Sequence, residues 1–140
     1  MKTDNRKYVS LLESEGKYLR LKRIMDNDPH LFQGLTEERE ARFKRWLPNN
    51  THVYEAFVDY ARELKHANLR QYYSARAIWE RLRWDTMTHD TFGGDTKLSD
   101  VNMPFVSWLS MAAEIDLHGM FKKRKNRNHD VKEEETSGVN

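Results

Sequence analysis

A chain of 140 residues, 38% hydrophobic and 33% charged, can bury one core and is too short for two domains of ordinary size. It has no cysteine, which excludes a disulfide framework and a thiolate zinc site. It also has no apolar run near ~20 residues and no apolar core in MKTDNRKYVSLLESEG, so a cytoplasmic protein without a membrane span or signal peptide is expected.

The formal net charge of +2 belongs to the tail. Six of the 24 Lys/Arg and four of the 22 Asp/Glu lie from Lys122 onward, which leaves 18 of each before it. Electrostatic attraction by the folded part therefore has to come from local clusters.

The spacing of Tyr8, Leu11, Leu12, Leu19, Ile24 and Met25 predicts an amphipathic helix over about 6–25, interrupted by Gly16 and stopped at Asp26-Asn27-Asp28-Pro29. Thr36 followed by Glu37 and Glu38 marks a capped helix start. That helix carries Phe43, Trp46 and Leu47 and ends at Pro48. Asn49-Asn50-Thr51 offers caps for the next helix, whose face holds Val53, Tyr54, Phe57, Val58, Ala61 and Leu64.

After a short connection beyond Asn68, Ser74 caps a second helix running to about Trp84. Its Ala75, Ile78, Trp79 and Leu82 fall at the i, i+3, i+4, i+7 positions of a buried stripe. On the same wheel Arg76 and Arg83 take one flank, Arg81 the other, and Ala77, Glu80 and Trp84 the outer side.

The segment MTHDTFGGDTKLSD has β-compatible residues around Gly93-Gly94 and predicts a short β-hairpin. Pro104 opens a last helix with Phe105, Val106, Trp108, Leu109, Ala112 and Ala113, and Met120 and Phe121 close the core. The remainder, basic then acidic, has too little apolar surface to order itself. The expected organisation is a helical extension over 1–48, a helix-turn-helix or winged-helix-like core over 49–121 and a disordered charged tail over 122–140. The fold class is mainly α.

Helix, turn, helix and hairpin in that order match the topology of a winged helix-turn-helix, whose second helix enters the major groove of DNA. Lys65, Arg70, Arg76, Arg81 and Arg83 are then the candidate contacts to duplex DNA, because guanidinium groups pair with guanine and release counterions from phosphates. The competing reading is a solvated face whose arginines pair internally with Glu80 or Asp85. Asp85, Asp90, Asp95 and Asp100 against a lone Lys97 make the hairpin acidic, unlike a phosphate-binding wing, and argue for a protein partner. For that partner Tyr72, Tyr73 and Trp84 are the candidate contacts, since aromatics beside arginines suit an interface hot spot. Burial beneath the first helix is the bland alternative for these aromatics.

The five-residue spacing of the aspartates does not reproduce a calcium loop, and the six histidines have no ligand spacing. With no nucleophile, nucleotide or phosphate-loop motif either, the expectation is a protein without catalysis, cofactor or metal. A homodimer would suit a two-fold DNA reader, although no heptad seam is evident.

The segments VYEAFVDYARELKHANLRQYYSARAIWERLRWDT, GGDTKLSDVNMPFVSWLSM and LHGMFKKR resemble a family of small uncharacterised proteins from phages and bacterial prophages, over about residues 51–124. The recognisable points are Phe57 with Tyr60-Ala61, Tyr73-Ser74-Ala75, Ile78 with Glu80-Arg81, Arg83-Trp84, and Phe121 with Arg124. Of the asparagine-rich stretch that precedes the last helix in such proteins, only Asn102 is present here. The resemblance implies a phage or prophage origin, a bacterial host cytoplasm and residues 1–48 as an addition to the shared part. It offers no catalytic residue. Two roles are expected from these readings: DNA binding through the arginine-rich second helix, or modulation of a host or phage enzyme in host takeover or anti-defence.

Overall fold

The computed structural model describes residues 2–67, 73–89 and 98–123, with side chains throughout these except in 2–14 and 87–89. Five helices occupy them: α1 (Lys2–Asn27), α2 (Glu37–Trp46), α3 (Thr51–Ala67), α4 (Ala75–His89) and α5 (Met103–Ala113). Three 3₁₀ turns, Leu47–Asn49, Asp100–Asn102 and Ile115–Leu117, link or extend them. Among the described residues no strand forms, and no helix is long and apolar enough to cross a membrane.

Local chemistry accounts for most of the boundaries. α1 runs through Gly16 and buries Leu21 and Met25, one turn apart. Beyond it the Asp28 carboxylate accepts the backbone N–H of His30, an Asx turn that redirects the chain before Pro29 can extend the helix. The Thr36 hydroxyl accepts the Arg39 N–H at 3.4 Å and caps α2. Pro48 cannot donate, so the chain passes into the 3₁₀ turn after Trp46. There the Asn50 side-chain amide donates to the Trp46 carbonyl at 2.8 Å, closing α2 rather than capping α3. Ser74 caps α4 by accepting from the Ala77 N–H at 3.2 Å.

α4 extends to His89, five residues past the end expected from its apolar stripe, and takes in Met87–His89, the start of the expected hairpin. Thr86 is retained in helix because its hydroxyl donates to the Leu82 carbonyl at 2.8 Å, which satisfies a β-branched polar side chain within its own turn. Residues 90–97 of the expected hairpin, with Gly93-Gly94, lie outside the described residues, as do Arg70, Tyr72 and the tail from Arg124, while at its end Leu98 is buried and Ser99 caps the 3₁₀ turn that begins at Asp100.

α5 is the central element. Every residue from Phe105 to Met111 is buried, the pattern of a helix surrounded by others, and it packs on α1, α3 and α4. Around it, Phe105 stacks on Phe43 at 5.2 Å between centroids and meets Phe32 edge-on at 5.0 Å. At the other end Phe57 sits between Trp79 and Phe121. The cluster runs without a break from Leu21 to Phe121, so the first 48 residues supply Leu21, Met25, Leu31, Phe32, Phe43 and Leu47 to the same core.

The end of the described chain is tied down by backbone bonds. Gly119 turns with φ 74, the Phe121 N–H donates to the Met111 sulfur at 3.3 Å, and the Tyr73 N–H donates to the Met120 carbonyl at 3.3 Å.

Candidate binding surfaces on the helix pair

Among the described residues α3 and α4 form the most extensive helix contact, with Ile78, Trp79 and Leu82 turned inward. α3 is described to Ala67 and α4 from Ala75, and residues 68–72 of the expected turn lie outside the described residues. The opposite side of α4 carries the residues at issue. Trp84 is 62% exposed, on the outer side where the wheel sets it. Tyr73 packs partly against the core.

The arginines of α4 are engaged within the molecule. Arg76 pairs with Glu80 at 3.3 Å and Asp100 at 3.6 Å. Arg83 meets Glu80 at 3.3 Å, the Leu98 carbonyl at 3.0 Å and Asp100. Arg81 reaches back to Glu63 on α3 at 3.3 Å and lies over the Tyr60 ring, 4.1 Å from its centroid. The Tyr60 hydroxyl donates to Asp85, and this bond together with burial holds the phenol above its usual range.

Three cations thus share their surface with four carboxylates, Glu63, Glu80, Asp85 and Asp100. Such a face has no net pull on a phosphate backbone. The Lys65 ammonium, the remaining candidate with a described side chain, donates to the Asp116 carbonyl.

A second polar site escapes sequence reasoning. Glu114, whose side chain is 14% exposed, accepts from Arg20 on α1 at 3.1 Å, from the Tyr54 hydroxyl on α3 at 2.9 Å and from Arg62 on α3 at 3.2 Å. Arg20 also donates to the Ala113 carbonyl at 2.8 Å, and Arg62 forks onto Asp116 at 2.8 and 3.1 Å. The Arg62 fork holds the Asp116 carboxyl below its ordinary range. These partners stand 52–94 residues apart in sequence, so no local spacing signals them. Beside them a cleft of about 300 Å³ opens between α1 and α3, with Leu21 and Val58 in its lining. Its charged walls, Lys17, Arg20 and Arg62 against Glu55, Asp59 and Glu114, are balanced.

Burial, and then the neighbouring Glu114 charge, push the Tyr54 phenol well above its ordinary pKa. Its folded-state pKa exceeds the unfolded value, so the stabilisation is complete below ~10 and is lost as pH rises beyond it. Urea titrations at pH 8 to 11 are expected to show stability falling above pH ~10, with a shallower fall in Tyr54→Phe. An equal slope in the variant would remove Tyr54 as the cause.

Among the described residues no three His, Asp or Glu side chains come together as a metal site. Asp85 and Asp100 are occupied by Tyr60 and by Arg76 and Arg83, while Asp90 and Asp95 lie outside the described residues. Compared with protein-family models, with curated proteins and with solved structures, the chain matches none.

Proposed function

We propose that this chain is a non-catalytic binding module that takes a protein partner on the outer face of α4, with Trp84 as its anchor. The observation that carries this reading is the 62% exposure of Trp84, opposite the core, on a surface whose arginine charges are matched by carboxylates. Trp and Arg are the residue types that dominate interface energetics, and a rim of both signs selects a partner by complementarity rather than by bulk charge. The fitting partner is a protein with an apolar pocket for the indole and mixed charge around it. A host or phage enzyme under modulation is a partner of this kind.

A partner captured from bacterial lysate and then purified is expected to bind Trp84→Ala at least ~30-fold more weakly in calorimetry, the loss of a hot-spot side chain. Since the indole is largely solvated, circular dichroism of the variant should match the parent. Equal affinities would sink the proposal.

Duplex DNA is the second reading. Arg76 and Arg81 are more than half exposed, and exposed ion pairs are worth only ~0–1 kcal/mol, so a phosphate could exchange for Glu80 or Glu63. A DNA affinity that falls on Arg76→Ala and Arg81→Ala would favour this reading over a protein partner.

A further inference from the structure

Among the described residues, unpaired arginines cluster on α2, with Arg23 on α1 a further single one. Arg39, Arg42 and Arg45 are all exposed, and among the described residues none of their guanidinium groups meets a carboxylate. This contrasts with Arg20, Arg62, Arg76, Arg81 and Arg83, each of which has one. Of the three acids on this helix, Glu40 is taken by Lys44 at 2.8 Å, and Glu37 and Glu38 lie in the first turn, ahead of the ridge's last two arginines. At i, i+3 and i+6 the three arginines follow one ridge of the helix and span roughly 9 Å along its axis. The ridge is held rigidly from behind, because Phe43 is fully buried against Phe32 and Phe105.

We infer that the Arg39–Arg42–Arg45 ridge of α2 docks the phosphodiester backbone of nucleic acid without reading its sequence. A phosphate recurs about every 3.4 Å of axial rise on one strand, so a ridge of this span covers two to three of them. A guanidinium fork pairs bidentately with phosphate oxygens, and its attraction is undiminished where no carboxylate already holds it. The ridge lacks the apolar side chains that an interfacial helix buries in a lipid headgroup layer. The partner is therefore a polyanion in water, approached by charge alone. The site is separate from Trp84, so the two proposals stand or fall apart.

The test is an anisotropy titration of a short labelled duplex with the full chain over a range of salt concentrations. It compares the parent, Arg39→Ala/Arg42→Ala/Arg45→Ala and Arg76→Ala/Arg81→Ala. The α2 variant is expected to reduce the slope of log affinity against log salt by about three and to weaken binding at low salt by at least about tenfold. The α4 variant should leave the slope unchanged. Any contribution of the basic run from Lys122 is common to all three proteins and cancels in the comparison. An unchanged slope in the α2 variant, or no binding by the parent, overturns the inference. Displacement of the duplex by polyglutamate as readily as by an oligonucleotide of matched charge also overturns it, in favour of an acidic protein.

Discussion

Trp79→Ala is expected to destabilise the fold by about 3–5 kcal/mol, a large part of the ~5–15 kcal/mol that holds a domain of this size together. Trp79 is completely buried, packs on Phe57 and is the largest fully buried side chain in the molecule. Its removal leaves a cavity on the face of α4 that contacts α3, where two rigid helices cannot collapse into the space. Thermal unfolding should shift down by roughly 10–15 °C.

The indole offers a sharper comparison. Its Nε1 is buried and has no hydrogen-bond acceptor among the described residues, so its volume and apolar surface are what contribute. Trp79→Phe removes that unsatisfied donor along with part of the ring, and should cost no more than about 1–2 kcal/mol. If phenylalanine proves as damaging as alanine, the indole N–H has a partner after all.

Glu114→Ala carries the next largest effect, an expected loss of about 2–3 kcal/mol in a urea titration. Three donors converge on this carboxylate, and they do not suffer equally when it is removed. Arg20 and Arg62 are 51% and 41% exposed in their side chains and can return to water, so their share is small. The Tyr54 hydroxyl is on a buried residue and would be left without its acceptor. Glu114→Gln keeps an acceptor for the phenol and should recover about half of the loss. A cycle with Tyr54→Phe should show a coupling of about 1 kcal/mol or more. Strict additivity of the two substitutions would break the account of a shared bond.

The helices were legible because their cues are local. Thr36 and Ser74 cap where their sequence positions suggest, Pro104 sits in the first turn of α5, and the Ile78, Trp79 and Leu82 stripe points inward. Ends were less so: α4 continues past its apolar stripe because Thr86 satisfies its hydroxyl within the helix, which no hydropathy pattern encodes.

Charge was least legible of all. A helical wheel places Arg76, Arg81 and Arg83 on the flanks of α4 but says nothing of Asp100 or Glu63, which arrive from a 3₁₀ turn and from α3. Conversely nothing in the sequence sets Arg39, Arg42 and Arg45 apart from the acids at the start of α2. Only the tertiary structure shows which basic groups are already matched. Glu114 is the extreme case: a single acid between Ala113 and Ile115 becomes the junction of α1 and α3 through partners up to 94 residues away.

That junction bears on the order in which the molecule comes apart. α3 and α4 are neighbours in sequence and can pair early, at little cost in loop closure, whereas α1 meets the segment after α5 only by closing almost the whole described chain. Losing Glu114 removes the polar tie of α1 to this segment and leaves Leu21, Met25 and the Lys17–Glu55 pair to hold it, so opening of α1 with the Phe57, Trp79 and Phe121 contacts intact is expected below the global unfolding free energy. Amide hydrogens in the second half of α1 would then exchange with solvent ahead of those in α5, and the molecule would behave as two cooperative units within one continuous core.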